Sequence, residues 1–152
     1  MSDQDEVTMT EIVLPSHTNA LGTVFGGVIM SWIDIAGAIA SQRHCRTSTV
    51  TASIDDLAFV AAVKLGWHVQ LKARVNYTGK TSMEIGVRVD AQDPKVGVWH
   101  HTATAYSTFV SVDGNGKPIP VPPITLDSEE KKRRYNEALK RREFRLNRRG
   151  KA

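Results

Sequence analysis

The spacing of hydrophobic positions changes along the chain, and this change predicts the elements of the fold. Residues 27–44 are apolar on nearly every side, which is typical of a helix buried in the centre of a protein. From residue 67 onwards apolar and polar residues alternate, as they do in half-buried strands. The pattern predicts five strands, at residues 7–13, 48–54 with a looser continuation to 60, 67–77, 83–91 and 98–112.

Short turns connect most of these strands, and they indicate the fold class. Residues 78–81 and 92–97 have the Gly-rich and Pro-containing composition of tight turns. Strands joined by short turns run antiparallel. Because helices do not alternate with strands, we expect an α+β fold. In it, an antiparallel sheet of about five strands buries the single central helix on its apolar face.

The C-terminal part of the chain has a different character. Four prolines predict a stiff, extended connector: Pro118, Pro120, Pro122 and Pro123. Asp127 or Ser128 can cap a helix that continues to about residue 147. Its few apolar positions are Tyr135, Leu139, Phe144 and Leu146. We therefore expect a weakly amphipathic surface helix that frays and packs on a neighbouring subunit. The predicted division is a domain at residues 1–120 and a connector with a basic helix at residues 121–152.

The net charge of +4 hides a division between the same two parts of the chain. Residues 127–152 hold 11 Lys or Arg and 5 Asp or Glu, a balance of +6. The preceding 126 residues hold 9 and 11, a balance of −2. Binding of nucleic acid or of an anionic surface by the basic helix is an alternative function. That helix has few aromatic residues and no recognition motif, so we expect no nucleic-acid partner.

Length and cysteine content limit the protein class and the compartment. A chain of 152 residues fits one domain with a sizeable core. Cys45 is the single cysteine, so no disulfide can form within the chain, which fits a reducing compartment. The first residues lack the basic and apolar pattern of a secretory signal. The apolar run at residues 24–40 is too short for a membrane span and contains Asp34. We expect a cytoplasmic protein.

Asp34 is the most unusual candidate for chemistry. It is the only formal charge between Leu14 and Gln42, on a helix that otherwise reads as buried. A buried carboxylate is costly unless it is paired or hydrogen-bonded. Asp34 is therefore either a structural carboxylate or a catalytic one with a pKa tuned by its surroundings.

Asn19 and the pair Gly26-Gly27 lie at the start of the same helix. Asn19 suits a turn. The glycines either allow close packing or leave backbone N–H groups free to polarise a carbonyl.

The sequence has no phosphate-binding loop, dinucleotide fingerprint, nucleophile elbow or paired-cysteine zinc spacing. His100 and His101 are adjacent on a predicted strand and point to opposite faces, so we expect no metal site.

Three separated blocks of the sequence carry a family pattern. They are HTNALGTVFGGVIMSWIDIAG at residues 17–37, VTASID at 50–55 and NYTGKTSMEI at 76–85. In this order, between residues 8 and 119, they resemble the hotdog-fold acyl-CoA thioesterases, also called acyl-CoA hydrolases. The resemblance implies a hotdog fold, in which the sheet wraps around the central helix. It also implies hydrolysis of acyl-CoA to a free carboxylic acid and CoA, as in fatty acid metabolism, without a metal or redox cofactor.

The resemblance assigns roles to the candidates. Asp34 is implied to be the general base that activates water, or the nucleophile that takes the acyl group. The Gly27 N–H is implied to polarise the thioester carbonyl. Asn19, supplied by a partner subunit, is implied to position the water or the thioester. Thr51 and Ser53 are candidates for further polar groups at the site.

The turn containing Gly79, Lys80, Thr81 and Ser82 resembles the segment of the family that contacts CoA. Lys80 can meet a phosphate as a point charge, and nearby hydroxyl and N–H groups can add hydrogen bonds. An ordinary exposed hairpin is the alternative. A site shared between two domains implies self-association, to a dimer and to a hexamer built as a trimer of dimers. The competing function is a protein that binds acyl-CoA or CoA without hydrolysing it.

Overall fold

A computed structural model describes residues 6–150, and these form one antiparallel sheet with a helix on each face. The elements are β1 (Val7–Ile12), a 3-10 turn (Pro15–His17), α1 (Gly26–Cys45), β2 (Ser48–Phe59), β3 (His68–Thr78), β4 (Ser82–Gln92), β5 (Trp99–Val112) and α2 (Glu129–Gly150). The strand order is β1-β3-β4-β5-β2, with every neighbouring pair antiparallel. The predicted central helix and strands agree with these bounds to within one residue. Residues 1–5 of the predicted domain and residues 151–152 of the predicted C-terminal segment lie outside the described residues.

The central helix α1 packs on the apolar face of the sheet, as predicted. Its buried apolar residues include Ile29, Ile33, Ala36 and Ala40. Gly37 allows a close approach to β5, because a Cβ there would lie 2.8 Å from the ring of Phe109. The sheet side chains that complete this core are Val69, Leu71, Ala73, Ile85, Val87, Val89, Ala103 and Ala105. One continuous core therefore holds the helix inside the sheet.

An irregularity in the edge strand β2 decides which of its side chains face α1. Thr51 pairs with Phe109, but the next paired residue is Ser53 with Thr108, so Ala52 is an extra residue. A one-residue bulge exchanges the two faces of the strand beyond it. Thr51 consequently faces the same side as the core residue Phe109, whereas Ser53 faces the opposite side of the sheet.

The C-terminal helix α2 packs on the outer face of its own sheet. The sequence did not indicate this contact of α2 with the chain's own sheet, and packing of α2 on a neighbouring subunit stays a prediction. Tyr135 meets the ring of Tyr77 with centroids 5.1 Å apart, and Ala138 is completely buried. The apolar residues Leu139, Phe144 and Leu146 are exposed instead. The apolar pattern of α2 did not indicate this packing because polar contacts, chiefly from arginine side chains, hold the helix on the sheet.

The most buried of these contacts joins α2 to β4. Glu84 is 2% exposed and accepts hydrogen bonds from both Nε and Nη2 of Arg141, the shortest at 2.7 Å. Asn76 donates to the same carboxylate at 3.0 Å, and the Arg141 guanidinium lies 3.7 Å from the centre of the Tyr106 ring. A buried carboxylate with this many partners is fully compensated. Within residues 6–150, neither helix is long and apolar enough to cross a membrane.

Candidate active site

Asp34 lies in the middle of α1 and is joined to the sheet by one strong hydrogen bond. Thr51 on β2 donates its hydroxyl to Asp34 Oδ1 at 2.6 Å. The carboxylate is half-buried, and its neighbours Met30 and Ile35 on α1 are exposed. Asp34 is therefore held on one side and open on the other, as a group that acts on a bound molecule must be.

The N-terminus of α1 offers backbone N–H groups near the start of the same helix. The N-cap residue Phe25 is extended and makes no side-chain hydrogen bond to the helix. Gly26 and Gly27 occupy the first helical positions, whose N–H groups have no acceptor within the helix. Gly27 is exposed, and the positive end of the helix dipole lies here. These groups suit a carbonyl oxygen that gains negative charge.

An apolar cleft of about 400 Å³ opens beside this helix terminus. Its walls come from the end of β2 and the segment that follows, together with the first turn of α1. The lining residues are Thr23, Val24, Gly26, Ile29, Phe59, Val60, Ala61, Ala62 and Val63. Ile29 and Val63 are buried at its base, and Phe59 and Val60 are exposed at its mouth. The residues at 59–63 were not among the site residues predicted from the sequence, although this small apolar run was a visible signal.

Asn19 serves its own loop in the structure. Its side-chain oxygen accepts from the N–H groups of Leu21 at 2.9 Å and Thr23 at 3.2 Å, and its amide nitrogen donates to Thr23 Oγ1 at 3.0 Å. The loop is tied to the start of α1, because the Phe25 N–H donates to the His17 carbonyl at 2.8 Å. Within one chain, the described hydrogen bonds of the Asn19 side chain do not include Asp34.

Of the two β2 hydroxyl groups singled out from the sequence, the structure brings only one to Asp34. Thr51 reaches it, whereas Ser53 donates to Asp55 at 3.3 Å on the other side of the bulge. Ser53 is therefore not a polar group of this site in the described chain. The sequence alternation could not separate the two, because the bulge at Ala52 is not visible in it.

The predicted CoA-contacting turn connects β3 and β4. The Gly79 N–H donates to the Ser82 carbonyl at 2.8 Å, and the carbonyls of Lys80 and Thr81 accept from Val121 and Ser111. The Lys80 side chain is exposed. These bonds leave the hydroxyl groups of Thr81 and Ser82 and the Lys80 ammonium as the groups that can face a ligand.

This turn lies near the C-terminal end of α1, away from Gly27. Next to the turn, Met83 Sδ is 3.8 Å from Cys45 Sγ, the last residue of α1. At 1.5 Å per residue, Gly27 and Cys45 are separated by about 27 Å along the helix axis. A single chain therefore places the turn and the helix N-terminus at opposite ends of the central helix.

No metal-binding constellation is present in the part of the chain that the structure describes: no group of three or more His, Cys, Asp or Glu side chains could hold an ion there. His101 instead contacts its own strand, with Nε2 2.7 Å from Thr104 Oγ1. Cys45 is buried, and this burial raises the pKa of its thiol despite hydrogen bonds to Ser111 and Thr47 that lower it. It behaves as a small core residue.

Comparison with known proteins decides the family. A family model described as the thioesterase superfamily matches residues 21–98. The uncharacterized acyl-CoA thioester hydrolase YkhA of Bacillus subtilis is 39% identical over 145 residues, which cover 95% of this chain and 84% of that protein. This chain belongs to the thioesterase superfamily. Asp34 and Thr51 lie inside the residues that the family model matches, and Asn19 lies just before them.

Solved structures of thioesterases share the architecture along nearly the whole chain. An apo-hexameric acyl-CoA thioesterase superposes with a TM-score of 0.90 and 40% identity, covering 95% of this chain and 92% of that one. An acyl-CoA hydrolase from Staphylococcus aureus, in complex with butyryl-CoA, CoA and CoA disulfide, gives a TM-score of 0.88 and 35% identity, with 97% and 90% covered. The hotdog fold implied by the sequence is confirmed.

Proposed function

We propose that this thioesterase-superfamily chain is an acyl-CoA thioester hydrolase with Asp34 as its central catalytic group. The observation that carries the proposal is the Asp34–Thr51 hydrogen bond of 2.6 Å, on a helix whose N-terminus leaves N–H groups free. Hydrolysis of a thioester needs a base or nucleophile and a donor for the carbonyl oxygen. The first half of α1 carries both.

The reaction follows from these two groups. The Gly27 N–H binds the thioester carbonyl oxygen, and Asp34 takes a proton from a water molecule as that water attacks the carbonyl carbon. The carbon–sulfur bond then breaks, the proton passes from Asp34 to the CoA thiolate, and a free carboxylic acid remains. In the alternative route the Asp34 carboxylate attacks first and expels the CoA thiolate, and water then hydrolyses the resulting anhydride to the carboxylic acid, the free Asp34 carboxylate and a proton that the thiolate takes up. Thr51 holds the carboxylate in one orientation in both routes.

The spacing of three polar residues supports this assignment. Alanine variants of an asparagine, an aspartate and a threonine in the S. aureus acyl-CoA hydrolase have solved structures that resemble this chain at 34% identity. In that enzyme the three positions are separated by 15 and 17 residues. Asn19, Asp34 and Thr51 have the same separations here. We therefore include Asn19 and Thr51 in the site, with Asn19 positioning the water or the thioester.

A complete site needs a second copy of the chain. The CoA-contacting turn and the helix N-terminus are at opposite ends of α1, and the side chain of Asn19 is bonded within its own loop. Met30 and Ile35 are 41% and 48% exposed beside Asp34, and β2 is an edge strand. A two-fold partner would cover this surface and bring its own polar groups to Asp34. We propose a dimer, assembled further into a trimer of dimers, since two matching structures are hexameric.

The substrate would bind in two parts. The apolar cleft beside Gly26 accepts the acyl chain, and the turn at Gly79, Lys80, Thr81 and Ser82 contacts the CoA phosphates. CoA then serves as the leaving group of the substrate, and the reaction uses no metal or redox cofactor.

The cations of α2 are largely engaged in ion pairs with Glu84, Asp55 and acids of its own helix. This engagement argues against the basic helix as a nucleic-acid surface.

We also propose a cytoplasmic location and a two-part chain. A rat relative, 38% identical over 133 residues, is named a cytosolic acyl coenzyme A thioester hydrolase. The buried free thiol of Cys45 suits a reducing compartment. Residues 1–120 would form the catalytic unit, and residues 121–152 the connector and the helix that braces it.

Release of free thiol from a panel of acyl-CoAs tests the proposal. Wild-type protein should hydrolyse at least one chain length, and Asp34→Asn should lower kcat by at least about a hundredfold while leaving the fold intact. Asp93→Asn is the matched control, because Asp93 caps a turn by accepting from the Lys95 N–H, which asparagine can also do. Binding of acyl-CoA without turnover by the wild type would select the non-catalytic alternative. Equal rates for Asp34→Asn and wild type would remove Asp34 from the mechanism.

A further inference from the structure

The C-terminal helix contacts the outer face of the sheet from β3 to β2, the strand that carries Thr51. Its contacts follow in order along the helix. Tyr135 packs on Tyr77 of β3, Arg141 pairs with Glu84 of β4, and Arg145 pairs with Asp55 of β2. The last contact joins α2 to the edge of the sheet nearest the catalytic carboxylate.

Asp55 is held by several groups in a partly buried position. Arg145 Nη1 lies 3.3 Å from Asp55 Oδ2, and the two side chains are only 11% and 19% exposed. Arg148 Nη2 lies 3.7 Å from Oδ1, and the Ser53 hydroxyl donates to Oδ2 at 3.3 Å. Solvent screens a pair in such a position less than a fully exposed pair, so it can fix the local strand.

The bulge at Ala52 connects this ion pair to the active site. It turns Thr51 towards α1 and Asp55 towards α2, so opposite faces of one short segment are each held by a helix. Among residues 6–150, β2 has a strand partner on one side only, namely β5. A second irregularity follows directly, between Asp55 and Ala58, where Asp56 adopts a left-handed conformation with φ of 54°. Bulges disrupt the hydrogen-bond ladder locally, so side-chain contacts on both faces of this segment add to the ladder in fixing its position.

We propose that Arg145 is a positioning residue for the hydrolysis, acting through Asp55 to hold β2 so that the Thr51 hydroxyl meets Asp34. The inference rests on the proposed function, because the group it positions is the proposed catalytic carboxylate. Arg145 lies on the outer face of the sheet and Asp34 on the inner one, so Arg145 acts only through the strand. A misplacement on the order of 1 Å at a catalytic group can cost about a hundredfold in rate.

Steady-state kinetics of Arg145→Ala test this role. We expect kcat to fall by about tenfold with KM for acyl-CoA unchanged within twofold, and Arg145→Lys to recover most of the loss. Arg133→Ala is the matched control, because Arg133 pairs only with Glu130 and Glu137 of its own helix among the described contacts. In the double variant with Asp55→Ala, the loss should not exceed that of Asp55→Ala alone, because Arg145 acts through Asp55. An additive loss, an equal loss in Arg133→Ala, or a change of oligomeric state in Arg145→Ala would overturn the proposal.

Hydrogen exchange separates failure of this inference from failure of the proposed activity, because it needs no turnover. Backbone amides at residues 48–55 should exchange several times faster in Arg145→Ala than in wild type, and at the wild-type rate in Arg133→Ala. If the wild type hydrolyses no acyl-CoA, the proposed function fails, and exchange still decides whether Arg145 holds β2. Unchanged exchange at residues 48–55 would show that Arg145 does not hold β2. Faster exchange with an unchanged kcat would show that Arg145 holds β2 but does not position the catalytic group.

Discussion

The Thr51 hydroxyl donates a 2.6 Å hydrogen bond to Oδ1 of Asp34, and this bond joins the edge strand of the sheet to the middle of the central helix. None of the described hydrogen bonds involves the other carboxylate oxygen, which can therefore meet a water molecule or a substrate. A hydrogen bond to a charged group contributes more than one between neutral groups, and it also fixes the orientation of the carboxylate. The relationship leads directly to a test of Thr51.

Replacing Thr51 with valine removes the donor and keeps the side-chain shape. Hydrogen bonds to charged groups contribute about 1.5–3 kcal/mol, so we expect kcat for acyl-CoA hydrolysis to fall roughly tenfold to a hundredfold. Thr51→Ser retains the hydroxyl and should remain within about threefold of wild type. The measurement is thiol release under saturating substrate.

Thr10→Val is the control. It makes the same chemical change at an exposed position on β1, which lies at the opposite edge of the sheet from β2. Its activity should match the wild type. Full activity in Thr51→Val would mean that Asp34 needs no orientation by β2, and the site assignment would then rest on Asp34 alone.

Close contact between α1 and β5 predicts an overpacked core when Gly37 is changed. A Cβ at Gly37 would lie 2.8 Å and 3.0 Å from two atoms of the Phe109 ring, and Phe109 is only 1% exposed. Overpacking of this kind costs typically about 1–3 kcal/mol, which exceeds the roughly 0.5–1 kcal/mol that alanine gains over glycine within a helix. Gly37→Ala should therefore lower the free energy of unfolding measured in urea.

Two comparisons identify the ring as the cause. Gly26→Ala introduces the same methyl group 3.6 Å from Phe59, an ordinary contact distance, and should leave stability unchanged or slightly higher. Phe109→Leu combined with Gly37→Ala should lose less than the two single changes added together. Strict additivity in that cycle would contradict the contact.

Much of the fold follows from the sequence, because periodicity reports local structure that tertiary packing then preserves. The apolar run that forms α1 and the alternating residues of β3 and β4 are cases where propensity and burial agree. The details that decide the site do not follow in the same way. The bulge at Ala52 separates Thr51 from Ser53, and a single extra residue leaves no trace in a pattern of hydrophobicity. The position of α2 on the sheet depends on the ion pair between Arg141 and the buried Glu84. A sequence pattern does not indicate such a pair, because charged residues are ordinarily assigned to the surface.

The Arg141–Glu84 pair predicts a large loss of stability when its cation is removed. Burial opposes the charge of Arg141, but the hydrogen bonds and charge of Glu84 outweigh it and raise the pKa of the guanidinium. Arg141→Met would leave the 2% exposed carboxylate without its cation. Breaking a buried pair in this way costs about 3–5 kcal/mol. Urea unfolding followed by circular dichroism measures this loss of stability. If α2 instead detaches from the sheet and Glu84 becomes hydrated, faster cleavage of α2 by a protease reports the broken pair.

The same change at Arg133 calibrates that result. Arg133 is 57% exposed and pairs with two acids of its own helix, so Arg133→Met should change the unfolding free energy by less than about 1 kcal/mol. Adding Glu84→Gln to Arg141→Met should recover part of the loss, because a neutral amide is less costly to bury than a carboxylate. Equal effects of the two arginine changes would show that the ion pair does not hold α2 on the sheet.

Cys45 predicts a dependence of stability on alkaline pH. Burial raises the pKa of its thiol, so the folded state binds the thiol proton more tightly than the unfolded chain does. No stability is lost while the thiol is protonated in both states, below the ordinary thiol pKa of about 8.5. Above that pH the unfolded chain releases its proton first, and the free energy of unfolding should fall as the pH rises towards the folded pKa. Urea titrations of wild type and Cys45→Ala at pH 7 and pH 10 measure the difference, and the alanine variant should show the smaller decline.

Alkylation by iodoacetamide at pH 8 tests the burial of Cys45 independently: the single thiol should react far more slowly in folded protein than in urea. Equal alkylation rates in the two states would contradict the burial of Cys45 against Met83.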